Sequence, residues 1–335
     1  MSVWRYDNMK IGIPRALLYY YYFPFWNTLF TELGCEVVVS EETNTKIISD
    51  GCHVTETEMC VPIKIFNGHV AQLLKTDVDF IFVPQMHMVA HEYYCPKFLG
   101  LVELVKYAFE NDWDRFMFLY YDTKRDDLDN LKVHLPLTDY LGVSKSQVRS
   151  ALKKAVAAQK ECRKISRTGL TIPEAYRVLG GEKIKPFDGG FLTIALLGYV
   201  NNVYDSYVSM DSIKRLHDMG VNVVTFDMLP DEAVDKDKNN IKEPFWIFAR
   251  KVYNASKYLI ENGMVDGIIH MTAFGCGPDS IIGRLMEDRC DEANVPFLTL
   301  RVDEHTGDNH TQTRLEAYID MLKMRKFKGL KGANQ

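Results

Sequence analysis

The chain has no Cys-x-x-Cys pair, no Walker A sequence and no Gly-x-Gly-x-x-Gly loop. The first absence counts against a knuckle-type zinc site, and the other two leave no phosphate cradle, so any ATP chemistry has to reside in a partner. There is no basic excess either. Forty Lys and Arg against 45 Asp and Glu give a net charge of -5, which disfavours a nucleic-acid binder held by phosphate neutralisation. Long apolar runs are also missing. The apolar-aromatic stretch 17–30 is short, studded with tyrosines and interrupted by Pro24. Lacking a basic flank and a small-residue cleavage site, it reads as neither a spanning helix nor a secretory signal. What is present is an ordinary globular composition, 47% hydrophobic and 25% charged, which excludes wholesale disorder. Seven cysteines, an odd number without a secretory signal, argue against a disulfide framework and for reduced thiols in the cytoplasm.

At 335 residues the chain is long enough for about two domains. Short β-branched runs alternate with amphipathic stretches, the pattern of parallel strands joined by helices. Strands are expected at 9–13, 36–39, 80–84 and 116–120, with helices at 20–33, 64–75 and 97–111. A Lys-, Ala- and Gln-rich helix at 144–166, followed by the Gly- and Pro-bearing segment 180–190, reads as a bridge and linker. A second alternation follows, with strands at 191–197, 222–226, 267–271 and 296–302 and helices at 204–219, 245–262, 279–293 and 312–325. The expectation is an α/β protein of two doubly wound, flavodoxin-like parallel-sheet domains, 1–143 and 191–335, joined by a helical bridge and linker at 144–190. Such sheets place ligands beyond the carboxyl ends of their strands, so chemistry is expected in post-strand loops and in an inter-domain cleft.

Three cysteines share a local grammar. Cys60-Val61-Pro62, Cys95-Pro96 and Cys276-Gly277-Pro278 each put a proline one or two residues after the thiol, just ahead of a predicted helix. Proline favours the first helical turn, so each thiol is expected at a helix N-terminus, where free N–H groups and the dipole lower a thiol pKa. Each is primed as a ligand or a nucleophile. Glycines on both sides of Cys276 leave room for something bulky, which suits a cluster better than a lone ion. An iron-sulfur cubane takes thiolates from distant loops, and three protein ligands leave one iron open. Cys35, Cys162 and Cys290 have no such setting and read as small buried hydrophobes. Cys52, eight positions before Cys60, stays undecided.

The residues also resemble a family. Glu58-Met59-Cys60-Val61-Pro62-Ile63-Lys64 with Gly68-His69-Val70, then Tyr94-Cys95-Pro96-Lys97, Phe274-Gly275-Cys276-Gly277-Pro278-Asp279-Ser280, and Asp303-Glu304-His305-Thr306 through Ala317 occur in the order seen in acyl-CoA dehydratase activase-related proteins. That group is similar to 2-hydroxyacyl-CoA dehydratase subunits, benzoyl-CoA reductase cluster subunits and double-cubane cluster proteins. The resemblance runs over nearly the whole chain. It implies two doubly wound domains around a [4Fe-4S] or related cubane-derived cluster, oxygen sensitivity, and low-potential electrons delivered by an ATP-dependent activase. Carried over residue by residue, it makes Cys60, Cys95 and Cys276 the ligands. It implies a paralogous cluster subunit or a second copy of this chain as a partner, and by analogy a 2-hydroxyacyl-CoA-like substrate. Three matched cysteines suit one open cubane rather than a double cubane within one chain. A cluster-bearing electron relay or scaffold, and a zinc-binding or metal-free protein of the same fold, are the alternatives.

Other residues are candidates for proton work. His87, His91 and Cys95 are spaced four apart and would share a face if helical, although Pro96 argues against a long helix there. His91 is a candidate ligand or proton donor. Glu58 is a candidate acid beside the open iron if desolvated. His305, after the last strand, is a candidate for proton transfer, with loop hydrogen bonding as its bland counterpart. The aromatic run 19–26 reads as a buried helix with hydroxyls at its rim, or as a wall for an acyl group or cluster.

Overall fold

The computed structural model describes residues 8–124, 128–235, 243–304 and 308–333, without the side chains of 308–310 and 329–333. The chain divides into two compact units, one of Met1–Lys164 with Phe245–Ile247, the other of Ile165–Pro244 with Phe248–Gln335.

The first unit is built on β1 (Lys10–Ile13), β2 (Glu36–Val39), β3 (Phe80–Val89), β4 (Glu92–Tyr93) and β5 (Phe116–Asp122). β1 lies between β2 and β3, and β5 runs along the other side of β3, all four parallel. β4 folds back antiparallel on the last residues of β3. Helix α1 (Tyr19–Glu32) makes the first crossover and buries Tyr20, Tyr21, Tyr22, Phe25, Trp26, Leu29 and Phe30. It stops where Gly34 turns left-handed (φ +84°) and the Cys35 N–H returns to the Phe30 carbonyl, a conformation that glycine reaches without steric penalty. The aromatic run is therefore a buried helix, as expected.

Helix α2 (Thr45–Val54) was not foreseen. Asn44 caps it by accepting the Ile47 N–H at 3.0 Å, and it packs on α3 (Val61–Leu73) nearly backbone to backbone. A Cβ on Gly51 would stand 1.9 Å from the Lys64 carbonyl oxygen, and one on Gly68 2.0 Å from that of Ile47. Gly51, which weakens α2 as a sequence signal, and Gly68 on α3 are what let the two helices, and Cys60 at the start of α3, sit where they do. The predicted helix 97–111 is two helices broken at Gly100, α4 (Pro96–Leu99) and α5 (Leu101–Ala108). The long helix Lys145–Ser166 is tied to α1 through Gln159 Nε2 donating to the Tyr21 carbonyl at 2.8 Å and through Lys154 to Glu32 at 2.6 Å.

The second unit repeats the plan with β6 (Leu192–Gly198), β7 (Val221–Val224), β8 (Gly267–Ala273) and β9 (Phe297–Val302), all parallel in the order β7-β6-β8-β9. Both units thus have their second, first, third and fourth parallel strands side by side in that sequence. Each is a doubly wound, flavodoxin-like α/β unit whose switch point falls between its first and third strands. Helix Ile172–Leu179 was missed by the sequence reading, although Thr171 and Glu174 form a capping box ahead of Pro173. The predicted helix 204–219 breaks into Val200–Tyr204 and Ser212–Asp218. Among the described residues no helix is long and apolar enough to cross a membrane.

Candidate metal centre

Cys60 and Cys95 occupy matching places. Each is the N-cap of a helix with proline in the first turn, and their backbone angles nearly coincide at φ -64°, ψ 147° and φ -65°, ψ 155°. Cys95 lies beyond the carboxyl end of β3, reached through the β3–β4 hairpin; Cys60 starts the helix that leads into β3. The Ile63 and Phe98 N–H groups donate to the Cys60 and Cys95 carbonyls, each at 3.0 Å, and the N–H groups of Ile63 near Cys60 and of Phe98 and Lys97 near Cys95 act to favour each thiolate. The Lys97 ammonium is in electrostatic range of both sulfurs and donates to Met59 Sδ at 3.0 Å. The two thiols also sense each other, Cys60 raising Cys95.

The helix-start setting does not by itself produce thiolates. Burial outweighs the N–H groups and the lysine, raising the Cys60 thiol and pushing that of Cys95 up to about 11. The expected lowering is corrected accordingly: the dipole and N–H groups act in the expected direction, but desolvation of the charged form is larger. A bound metal would supply the missing positive charge and displace the protons.

The sign of the lesser influences separates the cysteines. Around Cys60 the N–H groups, Lys97 and Lys64 all favour the thiolate. Cys35, pushed up to about 11, feels Asp79 as well as burial, and Cys290, pushed up to about 12, feels Asp291 and Glu287. Carboxylates beside a thiol disfavour both ionisation and a thiolate-ligated cluster. Cys35, Cys162 and Cys290 are buried, matching their reading as small hydrophobes, and Cys52 is half-buried on α2.

Behind Cys95 the wall is dry and aromatic. Tyr94 is buried, its hydroxyl 2.6 Å from that of Tyr22 on α1, and its ring meets Phe98 edge-on. Two soft sulfur donors at helix starts, with an ammonium nearby and an aromatic wall beside them, suit an iron-sulfur group or another thiophilic metal. Among the described residues no group of three or more His, Cys, Asp or Glu side chains is placed to hold a metal ion.

In the second unit Cys276 is the N-cap of helix Gly277–Glu292, again with proline in the first turn. It lies beyond the carboxyl end of β8, the third strand, the topological place that Cys95 holds in the first unit. Gly275 turns left-handed (φ +77°), and a Cβ on Gly277 would meet nothing within 4 Å. Beneath this turn Asp279 and His270 are fully buried and joined, Nε2 to Oδ1 at 3.0 Å, a pair the sequence reading did not find.

The proton candidates fare differently. Glu58 is exposed, so the desolvation invoked for it is absent. His91 is exposed in the turn between β3 and β4 with φ 62°, and His87 lies on β3, so the helical face joining them to Cys95 does not exist. The strand's period of two and the hairpin turn replace the period of 3.6 that the spacing suggested. His305 lies outside the described residues. His69, within the first motif, is buried between Ser40 Oγ and Thr43 Oγ1, each 2.9 Å from a ring nitrogen, and burial pushes it down to about 3. It is a neutral clip on α3.

Residues 10–229 match the family model of the CoA enzyme activase uncharacterised domain, which spans Cys60 and Cys95. Residues 204–322, which include Cys276, match that of 2-hydroxyglutaryl-CoA dehydratase, D-component. A comparison with curated proteins finds no match.

Proposed function

Because this chain belongs to the family of the CoA enzyme activase uncharacterised domain, we propose that it is the cluster-bearing component of a 2-hydroxyacyl-CoA dehydratase-type system supplied with electrons by an ATP-hydrolysing activase. The observation that carries the reading is the pair Cys60 and Cys95, two matching N-caps in electrostatic range of each other and of one lysine. Cys60, Cys95 and Cys276 would hold a [4Fe-4S] cluster. Such a cluster with an iron not ligated by protein supplies a Lewis acid and a one-electron centre for a CoA thioester.

The chain's own residues prepare that chemistry. The Ile63, Lys97 and Phe98 N–H groups and the Lys97 ammonium stabilise sulfur in its anionic form. The buried Tyr22–Tyr94 contact ties the aromatic face of α1 to the residue before Cys95. The match to a dehydratase component over 204–322 supports a thioester substrate.

Anaerobic purification with iron and sulfide analysis tests this. About four irons per chain are expected after reconstitution, lost in Cys60→Ser, Cys95→Ser and Cys276→Ser and retained in Cys35→Ser, Cys162→Ser and Cys290→Ser. Folded protein that takes up no iron overturns the proposal. A cluster spectrum that responds to the activase but to no CoA thioester would mark an electron relay instead.

A further inference from the structure

We infer that His87 is a proton-transfer residue, oriented through Nδ1 by Tyr120 and Asp122, with Nε2 presented to a ligand seated on the exposed aromatic faces of Tyr120 and Phe245. The first observation is backbone geometry. β3 and β5 pair in register from Ile81–Phe116 to Met86–Tyr121, then slip so that Met88 opposes Asp122. His87 is the extra residue of a bulge at the carboxyl end of the third strand. Bulges are common beside functional sites, and here His87 stands half-buried between the buried Met86 and Met88, on the other face of the strand.

The irregularity continues. Ala90 and His91, both left-handed (φ 56° and 62°), make the two-residue turn into β4, a conformation that non-glycine residues adopt at some cost. The Tyr94 N–H then returns to the His87 carbonyl at 3.0 Å. The segment between the bulge and Cys95 is thus held in an uncommon shape by the sheet it leaves.

The second observation is how the imidazole is held. Nδ1 stands 3.2 Å from the Tyr120 hydroxyl and 3.4 Å from Asp122 Oδ1. A carboxylate oxygen can only accept, so Nδ1 carries the proton that faces Asp122 and the Tyr120 oxygen, which leaves the lone pair on Nε2. Among the described residues Nε2 has no hydrogen-bond partner, and the side chain is 30% exposed. A histidine steered through one nitrogen by a carboxylate and open at the other is the arrangement that general acid-base transfer needs. The titratable groups facing it are Asp122 and Tyr120 from β5 and Tyr93 from β4.

The third observation is the surface around it. His87 stacks parallel to Tyr120 and meets Tyr93 edge-on, and Tyr93 stacks on Phe245 at 5.0 Å. Tyr120 and Phe245 are 45% and 60% exposed, unusual for aromatics beside a strand's carboxyl end. They suit a flat or apolar organic ligand. Resting on the proposed function, that ligand is the acyl part of a CoA thioester. In the transfer, a hydrogen–ligand bond breaks with its electron pair left on the ligand, an N–H bond forms at Nε2, and Asp122 balances the imidazolium. Returned to a hydroxyl as its C–O bond breaks, the same proton completes water.

Carbethoxylation by diethyl pyrocarbonate, followed by mass spectrometry on the full metal-free chain, reads Nε2 directly. His87 should react several-fold faster in the wild type than in Asp122→Asn or Tyr120→Phe, while exposed His91 stays constant. 2-Hydroxyglutaryl-CoA should slow modification of His87 and not of exposed His53. Unchanged His87 reactivity in both variants, or no protection by the thioester, overturns the inference whatever the iron content. If iron binds but His87→Gln turns over thioester with an unaltered pH profile, the inference fails while the cluster proposal stands. If no iron binds, that proposal fails and the labelling results retain their meaning.

Discussion

The two units share a strand order and a cysteine after the third strand, yet they reach that cysteine differently. In the second unit β8 ends at Ala273, and one left-handed glycine, Gly275, brings the chain to Cys276. In the first, β3 bulges at His87, turns through two left-handed non-glycine residues and pairs with β4 before Cys95. One route is short and open; the other is long, strained and lined with aromatic and titratable side chains. The same topology therefore leads to a thiol through a short glycine turn in one unit and through a bulged, aromatic hairpin in the other.

Buried ionisable groups differ as well. The first unit buries neutral imidazoles, His69 pushed down to about 3 and His134 to about 4. The second buries paired groups, His270 with Asp279 at 3.0 Å and Arg250 with Glu243 at 3.8 Å. A neutral buried histidine makes stability depend on pH near neutrality, whereas a pair makes it depend on the survival of both partners.

The largest expected effect follows from that difference. His69 and His134 titrate below their unfolded value, so the unfolded chain takes up protons first on acidification. Their contribution is complete above about pH 6.5 and is lost as pH falls toward 4 and 3, on the order of 3–5 kcal/mol each. Hydrogen exchange read on peptides from each unit should show the first opening before the second between about pH 6 and 4; simultaneous opening would erase the contrast. Next, Asp279→Ala leaves His270 buried without its partner. It should destabilise the second unit by about 3 kcal/mol in denaturant titration and leave exchange in the first unit unchanged.

Gly68→Ala drives a Cβ into the Ile47 carbonyl and should destabilise α2 and α3 by about 1–3 kcal/mol, read from exchange across 45–73. Gly277→Ala should have the smallest effect, from neutral to stabilising by up to about 1 kcal/mol, because the added methyl meets open space in a helical first turn. A loss of stability there as large as that of Gly68→Ala would mean the room beside Cys276 is not free.

Strands were the most legible part of the chain. Phe80-Ile81-Phe82-Val83 and Ile268-Ile269 lie where their β-branched and aromatic content predicts, because a parallel strand buried on both faces needs that content, and Val37-Val38-Val39 does so on the half-buried edge strand. Helix starts at Cys60, Cys95 and Cys276 were legible from proline alone. Helix α2 was not, because Gly51 reads as a breaker until α3 is laid against it. Helix Ile172–Leu179 was legible in principle, since Thr171-Ile172-Pro173-Glu174 spells its cap. The bulge at His87 left no trace, because register is a relation between two strands.

By itself the sequence determined the alternation of strands and helices and the placing of three cysteines at helix starts, since periodicity and proline act over a few residues. Tertiary structure alone decided that Cys60 and Cys95 come within electrostatic range, that burial holds their thiols protonated, and that His87 meets Asp122. Those properties depend on distance and on exclusion of water between segments far apart in the chain, which local chemistry does not specify.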